Sequence, residues 1–510
     1  MAVNDAQIGR RKMSTLAPED PAGVVRFVLD GELVTVRDLP PTTTVLEYLR
    51  EVAGRTGTKE GCAEGDCGAC TVVLGELTAD GQSVSYNAVN SCIRFLPTID
   101  GKELVTVESL QSPGGELHPV QRSMVEHHGS QCGFCTPGFV MSLFALYLRG
   151  VQPEREAVLD AISGNLCRCT GYRPIIDAGC HMSGYAETAR WNPVEAQSPS
   201  RVQALQALSR KSDADSLRFS GFYAPLTVDD LATTLEAAPD SLVLAGGTDV
   251  GLWVTKHLRE LPPIVYIGGI EELRQIQRSG EGLYIGAAAT LTDAWAALVT
   301  EFPALTEVAK RFSSPPVCNS GTLGGNIANG SPIGDSMPAL IALGAQLHLR
   351  QGARIRSIPL ESFYLGYQKK DIAAGEFVVG VTVPSATPGR LLASYKIAKR
   401  TEQDISAVCG AFAVDVRDAH IVNARFAYGG MAAIPARALH AETAVIGMRW
   451  SEAAFDKAAE ALSADFKPLT DARATAGYRL QTAGNMLRCF YMQNATTNGP
   501  GVFPVRVTDI

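Results

Sequence analysis

The chain has 510 residues, 46% of them apolar and 19% charged, and a net charge of −8. That length exceeds a single hydrophobic core and implies three or four domains, with the composition of a folded soluble protein. The acidic balance, without a basic stripe interleaved with aromatics, argues against nucleic acid, and no apolar run approaches the ~20 residues that span a bilayer.

Residues 1–22 read as a disordered extension. Arg10-Arg11-Lys12 resembles the start of a targeting signal, but no apolar run follows it. Export is therefore not expected, and the expected compartment is the cytoplasm. From 23 to 104 the order is β-β-α-loop-β. Val25, Phe27 and Leu29 share one face of a hairpin turned by Asp30-Gly31. Pro40-Pro41 break the chain, and Thr42–Thr44 offer a cap to a helix carrying Val45, Leu46 and Leu49. A cysteine-rich loop and a strand Thr71–Leu74 follow. This order suits a ferredoxin-like β-grasp domain.

Residues 105–184 turn helical, with helices over 118–128 and 153–163. Between them lies a helix capped by Thr136, with Pro137 in its first turn and Gly150 past its end. A small helical bundle is expected. Residues 185–218 are polar and read as an interdomain linker. Leu242–Leu244 is a short apolar strand in an α+β domain over 219–390. A C-terminal α/β subdomain over 391–510 ends in a loose Asn-Gly-Pro-Gly tail. The expected class is α+β multidomain.

Eight of the twelve cysteines fall in two groups. The first is Cys62-x4-Cys67-x2-Cys70, closed by Cys92. This is the plant-type [2Fe–2S] spacing, and Gly61, Gly65 and Gly68 allow tight turns that bring amides to sulfur. A structural zinc site is the alternative, though zinc more often takes two C-x2-4-C pairs. The second group is Cys132-x2-Cys135 with Cys167-x-Cys169. Alone it fits zinc as well as iron; beside a ferredoxin module it reads as a second cluster. Without a leader, so many cysteines point to a reducing compartment and to metal binding. Cys180, Cys318, Cys409 and Cys489 read as buried apolar side chains. His127-His128 point apart on a helix and read as solvated or capping.

Two glycine-rich segments follow, Ala245-Gly246-Gly247-Thr248-Asp249 and Gly321-Thr322-Leu323-Gly324-Gly325-Asn326. Neither is G-x-G-x-x-G or a P-loop. Each fits either a tight turn between packed elements or a set of donors for phosphate. Beside two clusters a flavin dinucleotide is expected, because flavin converts single electrons into two-electron chemistry.

These segments together resemble the iron–sulfur and flavin part of the xanthine oxidoreductase family of molybdenum hydroxylases. The likeness is carried by Glu60–Thr71, Gln131–Gly138 and Gly164–Tyr172, and by Ala245–Asp249, Gly324–Asn326, Ser331–Asp335 and Tyr395-Lys396. It implies that Cys62, Cys67, Cys70 and Cys92 hold one cluster, near FAD. Cys132, Cys135, Cys167 and Cys169 would hold the other, near molybdopterin, with Gln131 and Cys169 at its edge. FAD would lie on Val243, Leu244, Ala245, Gly246, Gly247, Thr248, Asp249 and Val250 and on Thr322, Leu323, Gly324, Gly325 and Asn326. Phe312 would pack on the flavin ring, and Asp335 and Lys396 would contact it. Eukaryotic members read Gly-Asn-Thr-Glu where this chain has Gly246-Gly247-Thr248-Asp249. The implied activity is electron transfer from a molybdopterin centre through both clusters to FAD and NAD⁺, in the oxidation of hypoxanthine and xanthine to urate. A related hydroxylase of aldehydes or N-heterocycles is the alternative. No molybdopterin domain is present, so a large molybdopterin-binding partner is expected, in a heterotetramer of two small and two large subunits, with no catalytic substrate residues on this chain.

Overall fold

The computed structural model describes Gly9–Arg11 and residues 23–495, apart from Val151 and Glu402. The chain divides into two compact units. One runs through Glu272 and includes Ser314–Gly321; the other comprises Leu273–Ser313 and the chain from Thr322 onward.

The first unit opens with β1 (Gly9–Arg11), β2 (Val25–Leu29), β3 (Glu32–Val36), α1 (Val45–Glu47, continued as a π turn over Tyr48–Val52), β4 (Thr71–Leu77), β5 (Val84–Asn90) and β6 (Glu103–Val105). The strands form one sheet, ordered β1-β3-β2-β6-β4-β5. It is antiparallel except where β2 lies parallel to β6. Asp30 and Gly31 take φ of +58° and +79°, as a primed two-residue hairpin turn requires. Thr44 caps α1 in a capping box with Glu47, directing Val45 and Leu49 into the core beside Val25 and Phe27. Of the expected 1–22 extension only β1 is described, paired with β3; the rest lies outside the described residues.

The helical part holds α2 (Pro119–Glu126), α3 (Thr136–Tyr147), α4 (Arg155–Ile162) and α5 (Arg173–His181). Thr136 is the first residue of α3 rather than its cap. Cys135 takes the cap position in helical backbone geometry, which leaves the Thr136 hydroxyl to donate to Ser130 Oγ. His127 ends α2 and stacks on His181, with ring centroids 4.9 Å apart.

The 185–218 stretch, expected as a linker, is packed. Trp191 is buried in the helical core and donates from Nε1 to Ser109 O at 3.0 Å. In α6 (Pro199–Leu208), Val202, Leu205 and Leu208 share a core with Val28, Leu33 and Val84. The polar composition of this segment masked one apolar face at helical spacing.

Next come β7 (Leu217–Phe219), β8 (Phe222–Ala224), α7 (Val228–Ala237), β9 (Leu242–Leu244), α8 (Val250–Thr255) and β10 (Ile264–Tyr266). Their sheet is ordered β7-β8-β10-β9, with β10 parallel to both neighbours. Phe222, Leu244 and Ile264 join the core of the first sheet.

The second unit contains an antiparallel five-stranded sheet of Ile276–Ser279, Gly282–Gly286, Phe377–Val383, Gln346–Gln351 and Arg354–Pro359, in that order. Its C-terminal part was expected to be α/β, but its sheet is antiparallel throughout: Leu391–Ile397, Val408–Arg417, His420–Gly429 and Ala436–Arg437. Only Asp418 and Ala419 separate the two longest strands, both at positive φ, and a connection that short permits only antiparallel pairing. Helices Leu439–Val445, Glu452–Asp465 and Ala476–Ala495 complete this part. The tail after Ala495 lies outside the described residues. Among the described residues no helix is long and apolar enough to cross a membrane.

Candidate functional site

The first cysteine group sits in the loop before β4, with Cys92 just after β5. Thr71 pairs with Asn90 across these strands, and this register brings Cys70 Sγ to 3.3 Å from Cys92 Sγ. Cys62 Sγ accepts from the backbone N–H groups of Glu64 and Cys67, both at 3.4 Å. The Cys67 and Cys92 thiols push Cys62 far down, and the Cys92 thiol pushes Cys70 down. Cys67 is pushed up chiefly by Cys62, and Cys92 by Cys62 and then Cys70. Asn90 Nδ2 stands 3.8 Å from Cys70 Sγ. A Cβ on Gly61 would come within 2.7 Å of Cys67 Sγ, so only glycine leaves the sulfur its place.

In the second group, Cys132 and Cys169 are exposed, while Cys135 and Cys167 are half-buried. Cys135 is pushed up to about 12, by burial first and then by the Cys167 thiol. Partial burial opposes ionisation of Cys167, yet its pKa falls because Thr170 Oγ1 lies 3.2 Å from its sulfur. Cys169 is pushed up by the Cys132 thiol. Cys167 N–H donates to Tyr172 Oη at 3.0 Å. Among the described residues no three or more Cys, His, Asp or Glu are arranged to hold one metal ion. In the first group the thiols interact in a row, Cys67 with Cys62, Cys62 with Cys92 and Cys92 with Cys70, and in the second Cys135 interacts with Cys167 and Cys132 with Cys169.

The two groups adjoin. Leu166 N–H donates to Cys67 O at 3.0 Å, so one hydrogen bond separates the backbone of Cys67 from the residue next to Cys167. Asn165, 3% exposed, fixes that contact. Its Nδ2 donates to Gly68 O at 3.1 Å, and its Oδ1 accepts from Ser142 Oγ at 2.7 Å. A Cβ on Gly68 would stand 2.3 Å from Gly164 O, and one on Gly138 would stand 2.2 Å from Gly68 O. Asn165 lies in the Gly164–Tyr172 segment that carries the family likeness, but its role as a lock is shown only by the burial of its amide and its partners.

The first group also meets the first glycine-rich segment. That turn follows β9, with Gly247 at φ +76°, and enters α8. A Cβ on Gly251 of α8 would lie 2.4 Å from Ile93 O. Thr255 Oγ1 donates to Ala63 O at 2.7 Å, and Leu252 packs on Cys70, Cys92 and Ile93. A Cβ on Gly246 would meet Ser320 O at 1.9 Å, a backbone-on-backbone contact that leaves the turn no room for a side chain. Val243 pairs with Val265 inside the sheet, Leu244 is buried, and Asp249 is exposed ahead of Val250.

The second unit carries the other named residues. Thr322 caps the helix Leu323–Asn329 by accepting from Gly325 N–H at 3.0 Å. Gly324 lies against Ala287, whose Cα would be 2.5 Å from an added Cβ. Asn326 Oδ1 accepts from Ser336 Oγ. Lys396 and Asp335 are buried together, Nζ to Oδ2 2.8 Å. Lys396 also donates to Arg311 O at 2.7 Å, with Phe312 O at 3.4 Å. Its donors are thus directed at protein, beside the half-buried Phe312, which stacks obliquely on Trp295 at 5.4 Å.

Four domain families match this chain in order. They are a 2Fe-2S iron-sulfur cluster binding domain over 27–94 and a [2Fe-2S] binding domain over 106–180, then the FAD binding domain in molybdopterin dehydrogenase over 217–386 and the CO dehydrogenase flavoprotein C-terminal domain over 393–494. The chain belongs to the molybdenum hydroxylases, as their iron–sulfur and flavin portion. It is 30% identical to a xanthine dehydrogenase of Oryza sativa over 88% of this chain and 38% of that protein. It is 33% identical to one of Drosophila subobscura over 81% of this chain and 35% of that protein. It therefore spans little more than a third of the curated relatives it matches. A solved carbon monoxide dehydrogenase from Hydrogenophaga pseudoflava is 30% identical with TM-score 0.50, covering 52% of this chain and 94% of that one. This molybdenum hydroxylase portion is α+β and multidomain, as expected from its sequence.

Proposed function

We propose that this chain is the electron-transfer and flavin portion of a xanthine dehydrogenase. Cys62, Cys67, Cys70 and Cys92 hold one [2Fe–2S] cluster, and Cys132, Cys135, Cys167 and Cys169 hold another. Val243–Val250 and Thr322–Asn326 would hold FAD, with Phe312 packed on the flavin ring and Asp335 and Lys396 in contact with the flavin. Clusters supply one-electron carriage, and flavin supplies exchange with a two-electron acceptor, NAD⁺. The observation that carries this reading is the unbroken contact within one unit from the Cys132–Cys169 edge, through Leu166 and Cys67, to Ile93 and Gly251. Exposed Phe134 and Leu166 beside that edge suit docking of a molybdopterin-bearing partner, in a complex of two copies of each chain. The free thiols suit the reducing cytoplasm.

Purine as the substrate is supported by the xanthine dehydrogenase relatives. The likeness to carbon monoxide dehydrogenase favours a second reading, the same electron-transfer role beside a different molybdenum site. The test is dye reduction by NADH and xanthine turnover, with and without the co-purifying large partner. The chain alone is expected to pass electrons from NADH to the dye, and to support xanthine oxidation only with the partner. Xanthine oxidation by the isolated chain overturns this division. A flavin-loaded chain inert to NADH overturns the choice of acceptor.

A further inference from the structure

Among the described residues Arg94 is a buried cation with no carboxylate partner. It follows Cys92 by two residues and is only 7% exposed. Nη1 reaches Thr98 Oγ1 at 3.4 Å and Nη2 reaches Ser320 Oγ at 3.5 Å, both at the outer limit of a hydrogen bond. Its Nε has no partner. Among the described residues Arg94 forms no ion pair. A guanidinium taken out of water on such terms is strongly unfavourable unless an anion completes it.

Its surroundings indicate which anion. Ser320, which Nη2 approaches, is the residue whose carbonyl abuts Gly246. The guanidinium and the Gly246-Gly247 turn therefore border the same residue. Guanidinium presents a planar fork of donors that matches phosphate oxygens, and the unused Nε–H belongs to that fork.

We propose that Arg94 is a phosphate-binding residue: its guanidinium holds a phosphate oxyanion at the Ala245–Asp249 turn. This rests on the flavin reading above. The iron–sulfur portion would then contribute directly to holding the dinucleotide. The oxyanion comes either from the pyrophosphate of FAD or from free phosphate.

The test uses the full chain stripped of flavin, as wild type, Arg94→Met and Arg94→Lys. FAD and riboflavin are titrated by fluorescence quenching. Inorganic phosphate is scored by its effect on the melting temperature of the apoprotein. Arg94→Met is expected to weaken FAD roughly 10- to 100-fold, the loss typical of a charged hydrogen bond, and to leave riboflavin unchanged. Its apoprotein is expected to melt no lower than wild type, because an uncompensated buried charge has gone. Arg94→Lys should fall between. If the variant loses phosphate protection but keeps its FAD affinity, the site stands with free phosphate as its source. Equal FAD affinity and equal phosphate response in wild type and Arg94→Met overturn the proposal. So does an apoprotein that melts lower while FAD and riboflavin weaken alike, since that marks a structural arginine. Wild type that binds neither flavin overturns the flavin reading itself, an outcome distinct from the others.

Discussion

The Lys396–Asp335 pair offers the most quantitative test of the second unit. Lys396 is 2% exposed and Asp335 5%. Their contact at 2.8 Å is supported by Ser406 Oγ, which donates to the other Asp335 oxygen at 2.6 Å. Lys396→Met keeps most of the aliphatic stem but removes every donor. Asp335 is left with the Ser406 hydroxyl, and Arg311 O loses its 2.7 Å partner. Breaking one side of a buried pair costs about 3–5 kcal/mol. For units of 150–250 residues, about 2–4 °C per kcal/mol turns this into a fall of about 6–20 °C. The assay is thermal unfolding of the full chain by calorimetry, reading the transition that the substitution shifts. Removing both charges, as Lys396→Met with Asp335→Leu, should recover most of the loss, because no buried charge is then stranded. A loss below about 1 kcal/mol, or a double variant no more stable than the single one, would refute the claim that the pair is desolvated and mutually dependent.

Two further outcomes are expected. Gly246→Ala puts a methyl 1.9 Å from Ser320 O, whereas at Gly247 the nearest atoms would be 3.7 Å away and the positive φ is the obstacle. Gly246→Ala should therefore lose its flavin yet keep about four irons per chain. Gly247→Val carries mainly a backbone penalty of about 1–2 kcal/mol and should lose less; full flavin occupancy in Gly246→Ala counts against the site. His118 is fully buried, accepts from Val120 N–H at 3.3 Å and bonds Trp191 O at 3.1 Å. Burial holds its pKa down at about 4. The unfolded chain takes up the proton first, near pH 6.5. Stability is therefore complete above that value, falls as pH drops from about 6.5 to about 4, and is flat below, for a total of about 3 kcal/mol. Urea unfolding of His118→Asn, which caps without titrating, should lack that slope; identical slopes in both proteins would show that His118 does not carry it.

What the sequence disclosed was local. Asp30-Gly31, the Thr44 cap and the strand Leu242–Leu244 each depend on chemistry within a few residues, and the structure has them as read. Within each cysteine group the short spacings, Cys62-x4-Cys67-x2-Cys70, Cys132-x2-Cys135 and Cys167-x-Cys169, were legible for the same reason. The pairing across strands was not: Cys70 meets Cys92 because Thr71 registers against Asn90 across two strands. Helix α6 was missed because Val202, Leu205 and Leu208 are sparse among polar residues. Arg94 and Ser320 are ordinary polar residues in sequence, and Asn165 sits in a motif of the family likeness without a role assigned to it. Only burial, and the partners that each has or lacks, marks them out. Lys396 and Asp335 were each expected at the flavin, but no local pattern shows that they face each other.

The glycines of the first unit bear on why two separate cysteine groups and a glycine turn occupy one compact body. At each junction the limiting contact is backbone to backbone: Gly68 with Gly164, Gly138 with Gly68, and Gly251 with Ile93. Any side chain at these points must push the loops apart. Glycine alone would leave them loose, since it loses the most conformational freedom on ordering. The looseness is removed by polar locks at the same places. Asn165 uses both ends of its amide between Ser142 and Gly68, and Thr255 reaches back to Ala63. An amide freed in that buried position would strand donors and an acceptor at about 1–3 kcal/mol each. The spacing between the two cysteine groups and the glycine turn is therefore held by discrete, hydrogen-bonded groups. Under the proposed electron-transfer reading such fixed separations are what single-electron carriers need: the glycines set how closely the loops approach, and Asn165 and Thr255 set how firmly they stay there.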